Sequence, residues 1–245
     1  MARRRFFVDS VRGDAAELTG EEARHLARVL RAEPGQVYEI CDNRTAYLAE
    51  IRETGRDRVV FRVLEPLAPR TPPVAATVYV ALVKFERFEW LVEKATELGA
   101  AEIVPFEAQR SEKGLAQAAE KRVERWRRIA RESSQQARRD QMPEVSAPVL
   151  WKACLADPAA WRFFLEEEPG AVPLSAAVPP AGVRRTGDRV ALLAGPEGGW
   201  TEAERTAAAA AGWRAVSLGP QVLRTETAVV AALSVLGNTW WVASS

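Results

Sequence analysis

Histidine is almost missing from this chain: His25 is the only one, and it stands far from both cysteines, Cys41 and Cys154. That scarcity argues against a Cys/His zinc site, a Ser-His-Asp triad and a Cys-His dyad. No D-x-D cluster suggests a carboxylate-only magnesium site, so no metal centre is expected. Two isolated cysteines in 245 residues imply reduced thiols and an intracellular protein. The first residues carry no long apolar run of the signal-peptide kind, and no window approaches a membrane span. The expectation is a cytoplasmic protein with no membrane partner. Phosphate cradles are missing too: neither G-x-G-x-x-G nor a P-loop is present. If this is an enzyme, its cofactor or substrate must carry the difficult chemistry.

What is there is ordinary soluble composition, 47% hydrophobic and 27% charged, with a formal net charge of +1. The neutrality hides a patch. From Lys113 to Arg139 nine Lys/Arg stand against three Glu. Val123, Trp126, Ile129 and Ala130 fall on one face of a helix there, leaving arginines on the other. Such a face is as often solvated as it is a binding surface. Arg3-Arg4-Arg5 adds a second basic cluster, and arginine forks suit phosphate oxygens. Nucleic acid is therefore a candidate partner.

The clearest boundary is Glu65 to Pro73, where four prolines in eight residues cannot continue a helix or a central strand. Before it, a helix over Glu21–Ala32 is followed by strand-like runs at Gln36–Cys41, Ala46–Arg52 and Arg58–Leu64, which suggest a small antiparallel barrel. His25 reads as a surface or partly buried helix residue. After it, strand and helix alternate: strands at Val74–Val83, Glu102–Phe106, Phe163–Leu165, Arg189–Ala194 and Trp213–Leu218. Helices are expected at Phe88–Leu98, along the basic segment, from Thr201 to Gly212, and at Ala228–Trp241. This is the rhythm of a parallel α/β sheet. Two modules follow, residues 1–70 and 74–245.

Two glycine-bearing turns each follow a strand and open a helix: Gly195-Pro196-Glu197-Gly198-Gly199-Trp200, and Leu218-Gly219-Pro220-Gln221-Val222-Leu223-Arg224-Thr225-Glu226-Thr227-Ala228. In an open α/β sheet, ligand crevices lie at the carboxyl ends of the strands. Either turn alone is an ordinary βα connection. Together, with Glu197 and the Arg224/Glu226 pair placing charge where a loop needs none, they read as two walls of one site.

These two motifs, with Lys94-Ala95-Thr96-Glu97-Leu98-Gly99, Arg110-Ser111 and His25-Leu26-x2-Val29-Leu30-Arg31, resemble the RsmE family, small-subunit ribosomal RNA uridine N3-methyltransferases of the SPOUT superfamily. The resemblance covers essentially the whole chain. It implies an N-terminal PUA-like barrel that contacts RNA, and a C-terminal α/β domain tied in a trefoil knot. It also implies a homodimer, and S-adenosylmethionine held in the knot by loops near Leu82, from Leu193 to Gly198, and from Leu218 to Arg224. The expected cofactor-binding residues are Leu82, Leu193, Ala194, Gly195, Gly198, Leu218, Gly219, Val222 and Leu223.

Uridine N3 must lose its imide proton before it can accept a methyl. Arg224 is the candidate to stabilise negative charge on a uracil oxygen or hold a flanking phosphate. Glu226 or Glu197 would accept the proton or orient the base; equally, Arg224–Glu226 is a possible structural pair and Glu197 a residue that fixes its own turn. Candidates for contact with 16S ribosomal RNA in the small subunit are Arg3, Arg4, Arg5, Arg31, Arg110, Arg138 and Arg139. Gln221 stands where the family usually has arginine, so a phosphate contact there is not carried over. A SPOUT enzyme with another RNA target and a non-catalytic RNA-binding assembly protein are the rival readings.

Overall fold

A computed structural model describes the backbone of residues 4–244 and the side chains of residues 4–241. The chain divides into two compact units. The first takes in the chain up to Arg70 together with Ser134–Met142; the second holds Thr71–Ser133 and Pro143–Ser245.

In the first unit, β1 (Arg5–Phe7), β2 (Val11–Arg12) and β3 (Ala15–Thr19) precede helix α1 (Gly20–Arg24). The helix runs into a π-helical turn, His25–Val29, in place of the continuous α-helix expected to Ala32. Strands β4 (Val37–Cys41), β5 (Ala46–Thr54) and β6 (Arg58–Pro66) complete a sheet of order β1-β4-β5-β6-β3-β2. The sheet is not wholly antiparallel, because β1 joins β4 in parallel. Alternate residues such as Ala49 and Ile51, or Val59 and Phe61, face a core shared with Leu18, Leu26 and Ile40. That is the period-two pattern of a half-buried strand. His25 is exposed.

In the second unit, β7 (Val74–Ala81), α2 (Phe85–Glu97), β8 (Glu102–Phe106), α3 (Leu115–Glu120) and α4 (Val123–Gln136) come first. Then follow β9 (Glu144–Val145), α5 (Trp151–Leu155), β10 (Trp161–Leu165), β11 (Val172–Pro173) and α6 (Leu174–Ala177). The chain closes with β12 (Asp188–Ala194), α7 (Glu202–Ala210), β13 (Arg214–Ser217) and α8 (Thr225–Ser244). The sheet order is β11-β13-β10-β12-β7-β8-β9, every pair parallel.

Both faces are covered, as a parallel sheet requires. Successive residues of a strand point to opposite faces. Leu192 therefore joins a cluster with Phe88, Leu91, Trp126, Leu233 and Trp240 from α2, α4 and α8. Leu193 joins the other, with Tyr79, Phe106, Phe164, Trp200 and Trp213. Each such leucine contributes about 1.5–3 kcal/mol by leaving water. The order places the late strands β12 and β13 between strands made earlier, each flanked by elements that precede it in the chain.

Candidate functional site

Adjacent strands β13, β10 and β12 all end on the same edge of the sheet, and the loops leaving them enclose a cleft of about 220 Å³. From β10 come Leu165, Glu166 and Glu167; from the first glycine turn, Ala194 to Glu197, Gly199 and Trp200. The second turn supplies Ser217 to Gly219, Gln221 to Thr225, and Ala228 on α8.

Local packing explains why the first turn has this sequence. Trp200 is buried, donates its indole N–H to the Leu165 carbonyl at 2.8 Å and stacks on Phe164 at 4.4 Å between ring centroids. A Cβ at Gly195 would sit 2.7 Å from Trp200 Cε2, so no larger residue fits beneath the indole. The Gly195 carbonyl accepts from Thr225 Oγ1 at 2.7 Å, which ties the first turn to the second. Gly199 has φ of +69°, and a Cβ there would lie 2.4 Å from Glu167 Oε1. Thr201 then caps α7 in a complete capping box with Glu204. Glu204 is itself buried, and its other oxygen accepts from the Gln109 amide at 2.9 Å.

Charge at the cleft is mostly negative. Burial works to raise Glu166, but hydrogen bonds from Arg205 and from the amides of Glu167 and Glu168 outweigh it and hold the carboxyl below its usual range. Arg205 reaches Glu166 at 2.7 Å, Glu168 at 2.9 Å and the Trp200 carbonyl at 3.1 Å, locking the end of β10 to the start of α7. Arg224 is exposed in the cleft, and no partner engages its guanidinium among the described residues. Among the described residues Arg224 and Glu226 form no ion pair, so the reading of them as a structural pair is not met. Glu226 is instead 8% exposed and faces Arg87 of α2, which also pairs with the exposed Glu197.

Ala194, Gly195, Leu218, Gly219, Val222 and Leu223 line the cleft, with Glu197 and Arg224. Leu82, Leu193 and Gly198 are not among the residues that line it. Leu82 follows β7, which β12 separates from β10 and β13; its side chain packs in the core. Leu193 faces the opposite core from Leu192. The Gly198 carbonyl is turned away to accept from Arg110 Nη1 at 3.1 Å. Glu226 likewise lies outside the lining. The third wall of this cleft is the end of β10 and the residues after it, Leu165 to Glu167. Leu165–Glu167 and Arg87 were missed, since nothing local marks them.

The basic candidates divide. Arg3 lies outside the described residues. Arg4, Arg31 and Arg110 are exposed, Arg31 with φ of +50°. Arg5 is corrected: it is 2% exposed and paired with Asp140 at 2.5 Å and Glu39 at 2.9 Å, so it holds its own unit together. Arg138 stands 3.8 Å from Glu39 and Arg139 donates to the Gln141 carbonyl at 2.9 Å; both are half-buried. Burial pulls the Arg139 pKa down to about 10. On α4, Arg125 forks onto Glu89 at 2.6 and 2.9 Å and Arg127 bonds the Val145 carbonyl, so part of the basic face is neutralised within the second unit. Among the described residues no His/Cys/Asp/Glu group has the grouping of a metal site, and no helix is long and apolar enough to cross a membrane.

Comparison with known proteins agrees with this geometry. A family model for an RNA methyltransferase domain matches residues 70–237, and one for an RNA methyltransferase PUA domain matches residues 18–64. Ribosomal RNA small subunit methyltransferase E of Mycobacterium bovis is 36% identical, over 95% of this chain and 90% of its own. The protein of that name from Bacillus subtilis is 30% identical over 95% of both chains. A crystal structure of ribosomal RNA small subunit methyltransferase E from Neisseria gonorrhoeae, bound to S-adenosyl methionine, superposes with a TM-score of 0.85 at 25% identity, covering 98% of each chain. With both family models matched and relatives aligned almost end to end, the chain belongs to the RsmE family of ribosomal RNA methyltransferases.

Proposed function

We propose that this chain methylates N3 of a uridine in the 16S RNA of the small ribosomal subunit, using S-adenosylmethionine. The observation that carries the reading is the cleft itself: two glycine turns pinned by Trp200 and Thr225 over the end of β10. Its surroundings fit that cofactor. Leu165, Leu218, Val222 and Leu223 offer apolar walls for an adenine, and the close turns expose backbone groups to its edge. Glu166 and Glu167 suit a ligand bearing positive charge, and no lysine lines the cleft to hold phosphates. When bound, S-adenosylmethionine supplies an activated methyl group on a sulfonium.

The chain's own residues supply position and charge. Arg224, unengaged and exposed in the cleft, stabilises negative charge on a uracil oxygen as N3 loses its proton. Glu197 lines the cleft whereas Glu226 is buried outside the lining, which supports Glu197, paired with Arg87, as the carboxylate that orients the base or receives that proton. Cofactor contact is assigned to Ala194, Gly195, Leu218, Gly219, Val222 and Leu223, and RNA contact to Arg4, Arg31 and Arg110.

Three further parts of the reading are structural. A knotted path is supported by the insertion of β12 and β13 between earlier strands. The first unit's sheet is assigned as a PUA-like barrel. A homodimer is supported by Trp241 at 67% and Trp90 at 43% exposure on α8 and α2; a monomer by light scattering at micromolar concentration would refute it, and a ribosomal substrate supports work in the cytoplasm. A second reading, methylation of a different RNA, is favoured by one residue: Gln221 lines the cleft where the family usually places arginine.

The test is to incubate the purified protein with labelled S-adenosylmethionine and small subunits lacking the modification, then identify the labelled nucleoside. N3-methyluridine in 16S RNA is expected. Another methylated nucleoside would favour the second reading, and failure to bind the cofactor would overturn both.

A further inference from the structure

Helix α2 supplies an arginine that neither glycine motif contains. Arg87, in its first turn, pairs through Nη1 with Glu197 of the first glycine turn. Its Nε stands 4.0 Å from Oε1 of Glu226, which follows the second turn at the start of α8. One guanidinium thus faces a carboxylate from each glycine-turn segment.

The sharing is unequal. Glu197 is exposed and in direct contact with Arg87. Glu226 is more than nine-tenths buried, its Oε2 has no hydrogen-bond partner, and its Oε1 has the arginine only at ion-pair range. The positive end of α8 eases a charge there. A buried carboxylate without hydrogen bonds is nonetheless costly, and removing its one cation would leave it uncompensated. Removing that cation would also leave two like charges where one bridging charge had been. Arg87 is not among the residues lining the cleft, so it acts on the site through Glu197, which is, and through the buried Glu226.

We infer that Arg87 is a positioning residue: by opposing Glu197 and Glu226 together it keeps the two glycine turns at their working separation, so the shape of the cleft depends on a charge supplied by α2. The inference rests on the proposed function only for the identity of the ligand, S-adenosylmethionine. The coupling of the turns is a property of the protein alone and is read separately.

The experiment compares Arg87→Gln, Arg87→Lys, Glu197→Gln/Glu226→Gln, and the triple variant adding Arg87→Gln to that pair. Two quantities are read: calorimetric affinity for S-adenosylmethionine, and amide hydrogen exchange over residues 195–200 and 217–227. Arg87→Gln is expected to weaken binding at least about tenfold, the scale of one charge-assisted hydrogen bond. It should speed exchange in both segments while the β7 and β8 amides stay protected. Arg87→Lys keeps the charge without the fork, so it should fall between. In the charge-free pair background, adding Arg87→Gln should change neither quantity, because no carboxylates remain to hold apart. Wild-type behaviour in Arg87→Gln, or an equal loss in the pair background, would overturn the inference. If wild type binds no S-adenosylmethionine the proposed function fails, and the exchange data still decide whether Arg87 couples the turns.

Discussion

Replacing Gly195 with alanine tests the packing logic of the site with one methyl group. The added Cβ would lie 2.7 Å from Trp200 Cε2, 3.0 Å from Nε1 and 3.1 Å from Cζ2. The indole cannot yield easily, being buried, stacked on Phe164 and hydrogen-bonded to Leu165. Overpacking of this kind costs about 1–3 kcal/mol. If the ring tilts away, the Leu165 hydrogen bond adds roughly 1 kcal/mol. Against this, Gly195 is not among the glycines with positive φ. Alanine should therefore gain about 0.4–1 kcal/mol through the less flexible unfolded chain. The clash wins, leaving a net loss of about 2 kcal/mol and a melting temperature lower by roughly 4–8 °C for a chain of this length. S-adenosylmethionine affinity should fall with it, since Trp200 and Leu165 both line the cleft. Urea unfolding followed by circular dichroism, together with calorimetry, gives both numbers. The same alanine placed in a Trp200→Phe background should cost much less, because the clashing indole atoms are gone. An unchanged urea midpoint in Gly195→Ala, or an equal cost in both backgrounds, would refute the reasoning.

Arg224→Ala should leave stability within about 0.5 kcal/mol, as an exposed and unengaged side chain does. It should retain cofactor binding by calorimetry and lower methyl transfer by about 10²–10³-fold, the scale of one lost oxyanion donor. Arg205→Met should destabilise the second unit by about 1.5–3 kcal/mol at neutral pH, measured by urea unfolding. Because Glu166 is held below the ordinary value near 4.5, its pairing stabilises fully above that value and is lost as pH falls through its lower folded value. The gap between wild type and Arg205→Met should therefore begin to close as pH falls below about 4.5 and go on closing with further acid; a gap independent of pH would contradict the assignment. Asp140→Asn removes the charge from Arg5's 2.5 Å partner while Glu39 stays paired, and should cost the first unit about 1.5–3 kcal/mol, read as early loss of protection in β1 and β4 by hydrogen exchange.

The sequence was most legible where one residue's role is decided by near neighbours. The capping box at Thr201 and Glu204 forms as its spacing implies. Ala194, Gly195, Leu218 and Gly219 reach the cleft because a glycine turn after a strand has one place to go. What sequence does not give is the order of strands: Leu82 was named from the family resemblance, and only the sheet shows that β12 stands between the end of β7 and the cleft wall made by β10. Leu193 carries no mark distinguishing it from Leu192; both faces of the sheet are covered, so hydrophobicity does not say which way either points. Arg87, Arg5 and Asp140 were illegible for a related reason. A charge looks solvated in sequence until a partner far along the chain is brought to it, as Asp140 is to Arg5 and to the Arg70 amide.

The placement of β12 and β13 has a consequence for how the protein is made. Every wall of the cleft comes from Leu165 onward, and its last pieces, Arg224 to Ala228, open the final helix. A ribosome that has finished β7 to β10 has released strands whose neighbour β12 is not yet synthesised, so β7 and β10 both wait with unpaired edges. During synthesis at about 5–20 residues per second this is a window of seconds in which those edges are open to aggregation. Thr225 and Ala228 of the lining lie on α8, so the cleft gains its last wall only once that helix is made, and a ligand bound there stabilises the fold only from that point.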